Sequence, residues 1–274
     1  MSEDGKQRCV ATVLGCGSSA GVPRVAGGWG ACDPNEPRNR RQRCSLLVER
    51  LGPEGRTTVL VDTSPDLRAQ LLAAEVQWLD GVLLTHDHAD HVHGIDDLRP
   101  IVIHNRRRVG VHMAPETADR VTARFGYCFN APEGSSYPPI LDAHAIRPPA
   151  PVVISGAGGD ILAQPIEQLH GETLSLGFRF GGLAYSCDVS GIPDESELYL
   201  QDLDVWILDA LRYTPHPSHF TLDEALEWIA RVKPRRAILT NMHVDLDYAT
   251  LRRKLPAGVE PAYDGLQIPF ELVD

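Results

Sequence analysis

At 274 residues the chain is long enough for one large core or two small ones. Hydrophobic residues make up 43% and charged residues 23%, which excludes disordered and collagen-like classes, and no apolar run approaches the roughly 20 residues of a membrane helix. The net charge of −11 argues against a protein that grips long nucleic acid by its phosphates. The start of the chain, residues 1–8, is polar and shows no signal peptide, so a cytoplasmic location is the default expectation. The cysteines are scattered without a Cys-x-x-Cys pair, which fits reduced packing residues.

In chain order, residues 10–14 read as a first strand. It enters the loop Gly15-Cys16-Gly17-Ser18-Ser19-Ala20-Gly21-Val22-Pro23. Small residues there permit tight turns and leave amides free to meet an anion, which makes Ser18 and Ser19 candidate substrate-binding residues. Plain turn chemistry explains the loop equally well. Residues 25–43 form a long irregular segment with a basic end, Arg38-Asn39-Arg40-Arg41-Gln42-Arg43, suited to substrate phosphate or to a solvated face. Residues 44–48 and 57–61 read as a strand pair around the turn Gly52-Pro53-Glu54-Gly55. Asp62 ends the second of these strands, and Ser64-Pro65 signals a helix start.

The run Gly81-Val82-Leu83-Leu84 reads as a buried strand that opens into Thr85-His86-Asp87-His88-Ala89-Asp90-His91. Imidazole and carboxylate in this density suit zinc, manganese or iron(II). A short helix is expected over residues 94–98, a strand over 109–113 and a helix over 115–125. Residues 127–151 are rich in Pro and Gly and read as a lid or rim insertion. Strands follow at 151–154, 161–169, 176–180, 183–186, 205–208 and 237–240. Strands punctuated by helices in both halves predict two packed sheets with helices outside.

Three further candidate ligands, His170, Asp188 and His243, each end an apolar strand. The segment Thr214-Pro215-His216-Pro217-Ser218-His219-Phe220-Thr221 precedes a helix whose start carries the capping pair Thr221 and Glu224. Leu222, Ala225, Leu226, Ile229 and Ala230 give that helix an apolar stripe. A loop histidine held by a well-specified helix is a proton-transfer candidate, and His219 fits that description.

The central run resembles the His-x-His-x-Asp-His signature of the metallo-β-lactamase superfamily. The resemblance implies a single domain over residues 1–274 with a four-layer αββα sandwich, an α+β fold. It implies two divalent ions per chain, zinc or manganese with iron as an option. His86, His88 and His170 match the ligands of the first ion. Asp90, His91 and His243 match those of the second, with Asp188 bridging. Asp62 matches an acid beneath the site that hydrogen-bonds a ligand histidine; a plain cap before Ser64-Pro65 is the competing reading.

The Gly21-Val22-Pro23 loop, the His219 segment and Tyr263-Asp264-Gly265-Leu266 are similar to the phosphodiesterase branch, which holds ribonuclease Z and the phosphoribosyl 1,2-cyclic phosphate phosphodiesterases. This implies hydrolysis of a small or cyclic phosphodiester, ribose-phosphate- or nucleotide-like, by metal-activated hydroxide. His219 and Asp90 are the candidate catalytic residues, and His216 joins His219 on the substrate side. Relatives with a further structural zinc use closely spaced cysteines after the first loop; Cys32 stands alone, so no third ion of that kind is expected. A thioester or lactone hydrolase, a ribonuclease Z-like RNA processor and a non-catalytic nucleotide sensor are the alternatives. No membrane or long nucleic-acid partner is expected, and a homodimer is compatible with the sequence.

Overall fold

The computed structural model describes residues 8–131 and 133–272. Most of the polar start of the chain, residues 1–7, lies outside them. Fourteen strands run in chain order: β1 (Arg8–Gly15), β2 (Ser45–Gly52), β3 (Gly55–Val61), β4 (Gly81–Leu83), β5 (Val109–Met113), β6 (Leu141–Ala145), β7 (Val152–Ile154), β8 (Ile161–His170), β9 (Thr173–Phe180), β10 (Leu183–Ser186), β11 (Val205–Asp209), β12 (Arg236–Thr240), β13 (Val259–Pro261) and β14 (Leu266–Glu271). They form two seven-stranded sheets, ordered β14-β1-β2-β3-β4-β5-β6 and β13-β12-β11-β10-β9-β8-β7. In the first sheet β14, β1, β2 and β3 pair antiparallel, and β3 to β6 pair parallel. The second repeats this division, with β10 to β13 parallel and β7 to β10 antiparallel.

Alternation along the strands builds the layers. Leu46, Val48, Val59, Val61 and Leu83 point into a core shared with Phe178, Tyr185 and Leu208 of the second sheet. Their neighbours Leu47, Leu60, Val82 and Leu84 face the opposite way, into a core under helices α1 (Leu67–Ala73), α2 (Ala89–Val92), α3 (Arg99–Asn105) and α4 (Pro115–Phe129). A two-residue side-chain period is what lets one strand serve both layers. Beyond the short α5 (Asp194–Glu197), helices α6 (Leu222–Val232) and α7 (Tyr248–Lys254) cover the second sheet, with Leu222, Ala225 and Leu251 buried against it. The arrangement is the four-layer αββα sandwich. No helix among the described residues is long and apolar enough to cross a membrane.

Several boundaries differ from expectation. The helix after Asp62 starts at Leu67 rather than at Ser64-Pro65, because the Ser64 hydroxyl accepts from the Asp66 N–H at 3.2 Å and donates to Gln70 at 2.8 Å, holding a turn ahead of the helix. Residues 127–151 are not wholly irregular: 127–129 finish α4, which is bent at Phe125, and Leu141–Ala145 form edge strand β6. Arg41 belongs to neither a phosphate site nor a solvated face. It is buried, and its guanidinium donates to the carbonyls of Leu246 and His243.

Candidate metal centre

The centre lies where both sheets end. Asp62 follows β3 in the left-handed region, φ 64°, which Asp adopts more readily than most residues. It is fully buried, and its Oδ1 accepts from the Thr85 N–H at 2.8 Å. His91 Nδ1–H donates to Asp62 Oδ2 at 2.7 Å. The Thr85 hydroxyl donates its single proton to Asp62, so at 2.9 Å it can only accept from His86 Nδ1–H. One carboxylate therefore fixes two imidazole tautomers, and both Nε2 atoms are left bare and turned into the centre. The loop is clamped from outside as well. Asp87 is buried between Arg120 at 3.0 Å and Arg124 at 2.8 Å, both on α4.

The second sheet contributes residue by residue. His170 is the last residue of β8, and its Nδ1–H donates to the Ser218 carbonyl at 2.7 Å, which again leaves Nε2 bare. That Nε2 lies 3.2 Å from His88 Nδ1. Asp188 follows β10 with φ 54°, and Asn241 follows β12 with φ 58°. Asp188 Oδ2 stands 3.5 Å from His86 Nε2 and 3.6 Å from His170 Nε2, while Oδ1 stands 3.3 Å from His91 Nε2. Its two oxygens thus face different histidines. Asn241 Nδ2–H donates to Asp188 Oδ1 at 3.0 Å and holds the carboxylate in that orientation.

Among the described residues, ligand atoms of His86, His88, His170 and Asp188 lie within 4.8 Å of one another, as do those of His91, Cys187 and Asp188. Burial pushes the Cys187 thiol well above its ordinary pKa, and it donates to Asp188 at 3.2 Å, so it supports the carboxylate rather than competing as a thiolate. Asp90 Oδ2 sits 3.5 Å from His91 Nε2, at the margin of this second group. His243 belongs to neither group; its Nδ1 faces Asp245 at 2.9 Å.

These donors fit divalent ions. His86 Nε2 and His91 Nε2 are buried and without a hydrogen-bond partner, an arrangement that costs free energy unless a cation takes the lone pairs.

His219 stands beside the centre. Its Nδ1–H donates to Asp209 at 2.8 Å, and its Nε2 lies 4.0 Å from Asp188 Oδ2. Burial opposes the charged ring, but the buried carboxylate of Asp209 and then Asp188 raise its pKa to about 9.

Residues 57–242 match the model of the β-lactamase superfamily domain. The chain belongs to this superfamily. Within it, the chain belongs with the PhnP family: it is 35% identical to the crystal structure of a new diphosphatase from the PhnP family, with a TM-score of 0.86 over 97% of this chain and 98% of that one. The Zn²⁺-bound PqqB of Methylobacterium extorquens shares the fold at 16% identity, with a TM-score of 0.69 over 94% of this chain and 99% of that one. An octanoyltransferase of Porphyromonas gingivalis is 33% identical over 95% of this chain, and the chain spans 51% of that protein's length.

A cavity of about 390 Å³ opens against Asp90, lined also by Ser19, Ala20, Val25, Arg43 and Pro65. Arg43 is thereby the one basic residue of the 38–43 stretch that reaches the cavity wall. Ser18 is buried with its hydroxyl unpartnered, whereas Ser19 is exposed. His216 packs its ring 5.0 Å from His219, and burial lowers its pKa. Sequence reasoning missed Asp209, Asn241, Thr85 and the Ser218 carbonyl. Asp209 did carry a signal, since it ends Val205-Trp206-Ile207-Leu208 just as Asp188 follows its own apolar run.

Proposed function

We propose that the protein is a dinuclear metal-dependent hydrolase of a small or cyclic phosphodiester, or of a diphosphate (phosphoanhydride) bridge, with a ribose-phosphate or nucleotide character. The observation that carries this reading is Asp188, one buried carboxylate faced by three bare imidazole nitrogens, with the His219–Asp209 pair beside it. His86, His88 and His170 would hold one ion and Asp90, His91 and His243 the other, with Asp188 shared. When bound, zinc or manganese would neutralise phosphoryl charge and lower the pKa of a water. His219 carries the proton that the leaving oxygen needs, at Nε2. Asp209 keeps that ring in the productive tautomer and charge state, the orienting role of a buried carboxylate. Arg43 and Ser19 line the cavity that would receive the anionic substrate. The diphosphatase named for the PhnP-family relative supports a phosphorus centre as the target.

Metal analysis coupled to a substrate panel tests the proposal. The expected result is about two ions per chain and turnover of bis(nitrophenyl) phosphate or a dinucleotide diphosphate. The octanoyltransferase relative favours one second reading, hydrolysis of an acyl thioester at the same centre. Octanoyl thioester turnover with phosphodiesters untouched would replace the first reading by the second. Precursor transfer RNA should be a poor substrate beside small diesters, given the charge of −11.

A further inference from the structure

Most of the basic stretch 38–43 is spent on the protein itself. The Arg38 guanidinium lies 5.0 Å from the Tyr248 ring and 5.3 Å from that of Tyr263, and the Arg40 guanidinium lies 5.2 Å from the Trp29 ring. Arg41 is buried on carbonyls. Arg43 differs, because it lines the cavity beside Asp90. Its backbone N–H donates to Asp66 Oδ2 at 2.9 Å, and its Nε lies 3.0 Å from the same oxygen. Its carbonyl accepts from Gln70 at 2.9 Å. Main chain and side chain are thus tied down together. Asp66 meets the guanidinium at Nε, and among the described residues the two Nη groups have no protein acceptor. The same cavity wall carries the apolar Ala20, Val25 and Pro65. Val25 is 97% exposed, on a hairpin closed by hydrogen bonds of 2.8 and 2.9 Å between Arg24 and Gly28.

We propose that Arg43 determines specificity: its Nη fork holds a second, non-reacting phosphoryl group, so the preferred substrate is a phosphoanhydride with an organic group on each phosphoryl rather than a diester of a single phosphorus. The inference rests on the phosphorus-centred reading above and chooses between its two substrate classes. A planar guanidinium offers two parallel donors that match two oxygens of one phosphoryl. Its tether to Asp66 means that little side-chain freedom is lost on binding. A diester of one phosphorus places its only phosphoryl at the Asp188 centre and offers the fork nothing. The apolar wall around Val25 meets the organic group carried by the second phosphoryl. In the hydrolysis, the water oxygen bonds to the reacting phosphorus as the bond from that phosphorus to the bridging oxygen breaks. The bridging oxygen leaves with the phosphoryl held by Arg43, and each of the two monoesters formed takes one of the water's protons.

The test compares kcat/KM of the full-length, metal-loaded protein on diadenosine diphosphate and on diadenosine monophosphate, which carry the same nucleosides and differ by one phosphoryl. The wild type should prefer the diphosphate. In Arg43→Ala the ratio of the two values should fall by about 10–100-fold, mainly through a higher KM for the diphosphate, the loss expected for charge-assisted hydrogen bonds to one group. Elemental analysis should find the metal content unchanged. Arg43→Lys keeps the charge but not the fork, and it keeps the fold even if the alanine variant does not. Its ratio should lie between those of the wild type and Arg43→Ala, and clearly below the wild type where the alanine variant cannot be made. A wild-type ratio in either variant overturns the inference and leaves the phosphorus-centred reading in place. A wild type that prefers the monophosphate also overturns it alone. Turnover of neither compound by the wild type would take down that reading and the inference with it.

Discussion

The first sheet supplies four candidate ligands, His86, His88, Asp90 and His91, from a single turn after β4, whereas the second supplies one side chain at each of several strand ends: His170, Asp188, Asp209 and Asn241. The turn is stiffened by local means. Asp62 sets its imidazole tautomers from below, and α4 grips it through Asp87. The strand ends are instead tied to one another, Asn241 donating to Asp188 at 3.0 Å and the Val189 N–H to Asp209 at 3.1 Å, at positions set by sheet register, as in Ile207 opposite Ile238 and Tyr185 opposite Ile207. A compact turn can be adjusted by one supporting residue. A dispersed set is only as accurate as the sheet that carries it, and here two of its members sit in left-handed backbone just past their strands.

Asp188 is where the two sets meet, so its removal should have the largest effect. Asp188→Ala should lower activity by more than about 100-fold and empty at least one ion position, with the fold retained. Circular dichroism, elemental analysis and kcat/KM check this together; a fully metallated, active variant would falsify the shared role.

Next comes His219, on the dispersed side. His219→Ala should leave metal content unchanged and reduce turnover of a diester with a poor alkoxide leaving group by roughly 10²–10⁴-fold. A nitrophenolate leaving group needs little protonation, so its turnover should fall much less. Equal losses on both substrates would reduce His219 to a binding residue.

The local bracing of the turn predicts a smaller loss for Asp62→Asn. Asn tolerates the same left-handed backbone but cannot accept from both Thr85 and His91 as the carboxylate does. Metal affinity should drop by about 10–100-fold, the range for a residue that orients a ligand histidine. Titration against a chelator of known affinity measures it, and an unchanged affinity would show that the turn holds itself.

The smallest effect concerns Asp264, which joins the first loop to the basic segment by accepting from the Cys16 N–H at 3.1 Å and the Gln42 N–H at 2.7 Å. Burial pushes its pKa up to about 7 from an ordinary 3.8. A folded-state pKa above the unfolded one gives stability that is full below pH 3.8 and lost as the pH rises through about 7. Denaturant melts of Asp264→Asn should therefore decline less between pH 4 and pH 7 than those of the wild type. Parallel declines would mean the carboxylate stays ionised throughout.

The same contrast explains what could be read without coordinates. The turn was legible because its ligands are neighbours in sequence, and His170 and Asp188 became legible through their order behind it. Asp209 was missed although it ends an apolar run as Asp188 does, because nothing in the sequence ties it to His219, which lies against it at 2.8 Å. Strand β6 was opaque for a different reason. Leu141 is its one buried residue, so Asp142, Ala143, His144 and Ala145 show no apolar alternation. Arg41 misled through composition, since a guanidinium among other arginines reads as surface when it is in fact roofed by Cys32, Asn39 and Leu246. His243 remains a candidate by order alone, turned toward Asp245.

The pairing of β1 with both β2 and β14 has a consequence for the order of events during synthesis. While the chain is still emerging from the ribosome, β1 and β2 can meet early, but the outer edge of β1 waits for residues 266–271. Asp264, which anchors Cys16 and Gln42 on the way into that strand, arrives equally late. The candidate ligands themselves extend from His86 to His243, so a partly made chain offers the turn without the strand ends. Synthesis therefore makes the imidazoles of the turn well before Asp188, and the full candidate set exists only once residue 243 has been added.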